Sequence, residues 1–158
     1  MLSFPRVINE KAARTVAAVV ALAGVIALAT GAHWLLIPLA YGFWARVLTG
    51  PRLSPLAQLA SKVIAPRLGA PRDVAGPPKR FAQGMGAAIT TLGVVALALG
   101  WSTVTAVLLA MLIVAATLEA ALGLCIGCKV FAGLMRAGIV PETVCVECAD
   151  ISSRLQRA

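Results

Sequence analysis

Two long stretches, Thr15 to Ala45 and Phe81 to Leu118, contain no aspartate, glutamate, lysine or arginine. Uncharged apolar runs of this length match the hydrocarbon thickness of a bilayer. Apolar residues make up 60% of the 158 and charged residues 13%, which is far outside the range of soluble domains. The length fits a single domain. The formal charge is +8. A nucleic-acid binder would gather such charge on one face of a soluble fold, whereas here the basic residues flank the apolar runs. That excludes nucleic acid and makes the lipid bilayer the primary partner.

Divided at their turns, the runs predict four spans, at about 12–30, 34–48, 81–100 and 102–125. The first would cover roughly 28 Å at 1.5 Å per residue. Arg14 near its start is expected to snorkel towards headgroups. Ala13, Ala17 and Ala21 form a small-residue stripe on which another helix can pack closely. Arg6, Lys11 and Arg14 before this run resemble the start of a secretory signal. Cleavage near Ala29 or Ala32 would leave a chain opening in another apolar run, so the first span is read as retained. Pro38 is expected to kink the second span by removing a backbone donor. His33, the single histidine, falls in a turn and reads as a solvated polar residue.

Residues 49–80 differ in character. Ser54-Pro55 is a helix start, with the hydroxyl as cap and proline in the first turn. Leu56, Leu59, Ala60, Val63 and Ile64 follow at helical spacing, which predicts an amphipathic interfacial helix at about 55–65. Pro66, Pro71, Pro77 and Pro78 then suggest an extended linker. The expected fold is all-α: an integral membrane four-helix protein of two transmembrane hairpins joined by this interfacial helix. Residues 1–140 form the membrane domain and 141–158 a tail.

All 14 lysines and arginines lie at the first span's start, between Arg46 and Arg80, or from Lys129 onwards. The turns at 31–33 and 100–102 have none. By the positive-inside rule both termini are cytoplasmic, and the expected location is the bacterial inner membrane. The two apolar pairs also resemble each other, Val19 to Ala29 matching Thr90 to Leu99, which suggests a parallel internal repeat.

The chemistry is concentrated in the four cysteines, spaced Cys125-x2-Cys128-x16-Cys145-x2-Cys148. Two readings stay open. In one, Cys125 and Cys128 form a reactive thiol pair, with Lys129 favouring a thiolate, and Cys145 and Cys148 exchange electrons or sulfur with it through a mixed disulfide. In the other, all four thiolates bind a structural zinc ion, a spacing within the range of tetrahedral four-cysteine sites. A cytoplasmic position favours reduced thiols and therefore metal. Soft-metal transport is a third reading, weakened because no cysteine or histidine lies mid-span. A four-span bundle with a cysteine pair ending its last helix is similar in plan to the disulfide-generating quinone reductases, but those act on the outer side.

Glu119 is the one deep charge. It lies six residues before Cys125, about 120° away around a continuous helix. Thiol activation is then disfavoured, and a structural ion pair with Arg46 is the expected role.

Thr49-Gly-Pro-Arg, Pro77-Pro-Lys-Arg-Phe-Ala-Gln and above all Leu122-Gly-Leu-Cys-Ile-Gly-Cys resemble a bacterial family, domain of unknown function 4395. The resemblance spans most of the chain and implies an integral membrane protein that accompanies thioredoxin-like or rhodanese-like partners. It assigns no role to any residue, and self-association stays open.

Overall fold

The computed structural model describes residues 5–145. It begins with a three-residue strand, β1 (Val7–Asn9), followed by α1 (Glu10–Thr30). A 3-10 turn at His33–Leu35 leads into α2 (Leu36–Thr49). The connecting region forms α3 (Pro55–Leu59), a π-helical stretch at Ala60–Ile64 and the short α4 (Ala65–Arg67). Then come β2 (Asp73–Ala75), α5 (Gly76–Ala98), α6 (Ser102–Leu122), α7 (Ile126–Arg136) and a 3-10 turn at Glu142–Cys145.

Three helices, α1, α5 and α6, are long and apolar enough to cross a membrane, with mean hydropathies of 2.1, 1.6 and 2.2. Their outward faces carry exposed Leu22, Val25, Leu92, Val95, Val107 and Val114. A surface of that kind is stable against lipid and costly against water. Of the four expected spans, α2 is the one that falls outside this group. Its 14 residues make only about 21 Å at helical rise, short of a bilayer core. Pro38 lies in its first turn, where no intrahelical donor is lost, so it opens this helix instead of kinking it.

The hairpin expectation also changes. The dominant packing is α1 against α6 and α2 against α5, with α5 and α6 also adjacent, while α1 and α2 barely touch. Helices joined by a tight turn therefore splay apart in the first half, and each packs on a helix of the second. On α1 the buried positions are Ala12, Val16, Ala17, Val20, Gly24 and Ala27. The stripe is thus displaced by one residue from Ala13 and Ala21, and only Ala17 of the expected three is buried. The halves also exchange their strands. β1 pairs antiparallel with β2, Ile8 opposite Val74. Each half reads strand, helix, turn, helix, and the packing of α1 on α6 has its counterpart in that of α5 on α2. The ribbon replaces the expected polar lead and the end of the expected linker. Pro77 and Pro78 lie in the first turn of α5, where a missing N–H costs nothing.

Polar contacts gather at the basic end. Asn9 caps α1, its Oδ1 accepting from Lys11 N at 3.0 Å, and Glu10 pairs with Arg72 at 3.0 Å. Arg14 reaches across to the end of α6. Its Nε donates to Ala120 O at 3.0 Å and its Nη2 to Ala121 O at 2.8 Å. It thereby places a cation on the negative end of the α6 dipole. The connecting helix buries its alanine edge, Ala57, Ala60 and Ala65, and leaves Leu59, Val63 and Leu68 exposed. It packs on α1 by its small residues and turns its large apolar ones outward.

Candidate functional site at the α6–α7 junction

The fourth apolar run does not continue as helix through the first cysteine pair. Gly123 takes a left-handed conformation (φ 67°) and ends α6, its N–H bonding to Glu119 O and Leu118 O. Glycine is the residue that adopts this cap without steric cost. One residue further on, after Leu124, Cys125, extended at φ −84° and ψ 103°, caps a new helix, its Sγ accepting from Cys128 N at 3.3 Å. The two sulfurs are joined as a disulfide, with Cα atoms 5.2 Å apart. Cys125 is buried, 8% exposed, while Cys128 is half-buried. The pair therefore sits at the N-terminus of α7, where backbone N–H groups and the helix dipole favour negative charge.

α7 is held by α5. A Cβ on Gly127 would lie 2.6 Å from the Cα of Ala82, so only glycine lets the backbones approach this closely. Phe131 packs on Phe81 with ring centroids 5.7 Å apart and a 53° tilt. Gly127→Val is accordingly expected to destabilise the protein by about 1–3 kcal/mol through overpacking and to loosen the disulfide's seat. Thermal unfolding in detergent, with and without reductant, checks this.

Glu119 does not pair with Arg46. Its carboxylate pairs with Lys79, and both side chains are largely buried, 14% and 7% exposed. The reason is the earlier start of α5, which brings Lys79 into the helix and against α6. Arg46, 6% exposed, instead donates from Nε to Gln83 Oε1 at 2.7 Å and lies over the Phe43 ring at 4.5 Å. The turn at Gly123 also revises the placement of Glu119 relative to the thiols. Glu119, Arg46, Gln83 and Cys125 all line one cavity of about 90 Å³. A second cavity, about 250 Å³, shares Arg46 and Gln83 and adds Lys79, Asn9 and Ser61. Sequence spacing missed Lys79 and Gln83. Both lie in the Pro77-Pro-Lys-Arg-Phe-Ala-Gln segment, whose two prolines are the signal that a helix begins there.

Cys145 is buried, in a 3-10 turn that folds back on α5. No described cysteine is a free thiol. Cys148, the last of the four expected zinc ligands, lies outside the described residues, as does the tail beyond it. Among the described residues no three metal-ligating side chains converge.

The model of the family described as domain of unknown function (DUF4395) matches residues 8–136, from within β1 to the end of α7. The chain belongs to the DUF4395 family. Within this DUF4395 chain the match takes in the disulfide, the Lys79–Glu119 pair and the smaller cavity, and it stops before Cys145. No curated protein and no solved structure matches the chain.

Proposed function

We propose that this DUF4395 protein is a membrane-embedded dithiol–disulfide carrier that exchanges electrons or sulfur with a soluble partner at its basic face. The observation that carries this reading is the Cys125–Cys128 disulfide at the N-terminus of α7. When the pair opens, a thiolate at Cys125 keeps the Cys128 N–H and the helix dipole, the environment that lowers thiol pKa in Cys-x-x-Cys proteins. Cys128 is the more exposed residue of the two, so an incoming partner thiolate attacks there and expels Cys125. A thioredoxin-like or rhodanese-like protein has the matching chemistry.

The placement of the basic residues supports a four-segment topology in the bacterial inner membrane, with both termini and both cysteine pairs cytoplasmic. α2 would then cross as the shortest segment, together with the 3-10 turn before it. Exposed Leu59, Val63 and Leu68 suit a connecting helix immersed at the interface.

The test is reversible reduction in native membranes. A membrane-impermeant alkylating reagent should label Cys125 and Cys128 from the cytoplasmic side only after reductant, and reoxidation should remove the labelling. Labelling from the outer side would overturn the topology. A pair that stays closed under a thioredoxin-strength dithiol would overturn the carrier reading.

A second reading keeps support from the spacing of the four cysteines and from the return of Cys145 to α5, the helix on which α7 also packs. In it, the reduced thiolates bind a structural zinc ion and the membrane domain is a scaffold.

A further inference from the structure

Arg46 is poorly satisfied for a buried charge. The residue is 6% exposed, yet its Nη2 has no hydrogen-bond partner among the described residues. The carboxylate of the cluster, Glu119, is already paired with Lys79. Arg46, Lys79 and Glu119 together therefore leave one positive charge uncompensated in a low-dielectric setting. Such a group is stable when an anion joins it, since a charge-assisted bond there is both strong and geometrically selective.

The two cavities meet at Arg46. The smaller, about 90 Å³, is the one that Cys125 lines. It is well below the roughly 150 Å³ of an engineered cavity that accepts a benzene ring, so a quinone or other aromatic oxidant does not fit beside the sulfur. A small anion does. The larger cavity reaches from Arg46 to Pro5, Asn9, Pro51 and Ser61 at the basic end, which gives such an ion a polar route in.

We propose that the smaller cavity is a binding site for a small monoanion anchored by Arg46, and that hydrosulfide bound there opens the disulfide at Cys125. This rests on the carrier reading above and names its inward substrate. Hydrosulfide attacks the Cys125 sulfur, a sulfur–sulfur bond forms between them, and the Cys125–Cys128 bond breaks. The electron pair leaves on Cys128 as a thiolate in the first turn of α7, where the helix dipole stabilises it. Cys125 retains the added sulfur and its hydrogen as a persulfide. Atoms and electrons balance with no further reactant. The outward sulfur, Cys128, then faces the protein partner, and the inward one, Cys125, faces the small anion.

The experiment uses the full-length oxidised protein in nanodiscs, with sodium sulfide as probe and peptide mass spectrometry of alkylated Cys125 and Cys128 as readout. The expected result is one added sulfur on Cys125. Arg46→Gln should slow that step about tenfold or more, the size of one lost charged hydrogen bond, while reduction by a neutral phosphine stays unchanged. Arg46→Lys should retain most of the rate. Excess thiocyanate, an inert monoanion, should slow the wild type, a check that depends on no variant folding. Equal sulfide rates in wild type and Arg46→Gln, or no inhibition by thiocyanate, would overturn the site. Reduction by phosphine with no sulfur retained on Cys125 would overturn the hydrosulfide step and leave the carrier reading standing. A disulfide inert to both reagents would remove both.

Discussion

Replacing Glu119 by leucine should cost about 3–5 kcal/mol of stability, because it strands a buried ammonium without its partner. Lys79 is 7% exposed on its side chain and pairs with Glu119 across α5 and α6. Lys79→Met alone should cost a similar amount, since the carboxylate then stays buried without its ion pair. The double variant Lys79→Met/Glu119→Leu should recover most of that loss, as apolar replacement of a whole buried pair is often neutral or stabilising. A thermal-unfolding double-mutant cycle in detergent measures this directly. Additive losses, with no recovery in the double variant, would show that the two side chains do not act as a pair. Arg46→Met should behave differently, because Arg46 satisfies Gln83 but is not the ion-pair partner of Glu119.

The second large effect concerns the disulfide. Cys128 is half-buried and Cys125 buried, so the two serine variants should not be equivalent. Cys125→Ser leaves the accessible sulfur without its resolving partner. A mixed disulfide with the soluble partner should then accumulate and survive non-reducing electrophoresis. Cys128→Ser should form little of that adduct, since Cys125 is buried. Both variants should abolish turnover of the pair. The reverse pattern, adduct on Cys125 alone, would mean that the partner approaches from the cavity side.

Much of this architecture can be read from hydropathy and charge. Long uncharged runs specify α1, α5 and α6 because lipid-facing and helix-facing positions are both apolar, so composition alone suffices. The basic end is equally legible, since each cation stands outside those runs. What hydropathy cannot see is a change of backbone direction inside an apolar stretch. Leu122 to Ile126 stays apolar throughout, yet Gly123 turns the chain at positive φ. That one turn converts Cys125 from a position on α6 to the cap of α7, and it brings Glu119 and Cys125 to one cavity despite their separation on a continuous helix. The partner of Glu119 was misassigned for a related reason. Depth along the spans singled out Arg46, but the double proline at 77–78 starts α5 early and presents Lys79. The β1–β2 ribbon is too short for any periodicity to register, and it exists because the two halves meet at their entry points. α2 reads as a full span by composition, and only its observed length, 14 residues, distinguishes it from the others.

Most of the account depends on the chemical state of the sulfurs. The most direct measurement is a count of free thiols together with metal content on the purified full-length protein, before and after mild reductant. The account predicts metal-free protein in which Cys125 and Cys128 are closed, become open to alkylation on reduction, and close again on reoxidation. One zinc ion held per chain, with Cys125, Cys128, Cys145 and Cys148 all masked from alkylation and resistant to oxidation, would contradict it.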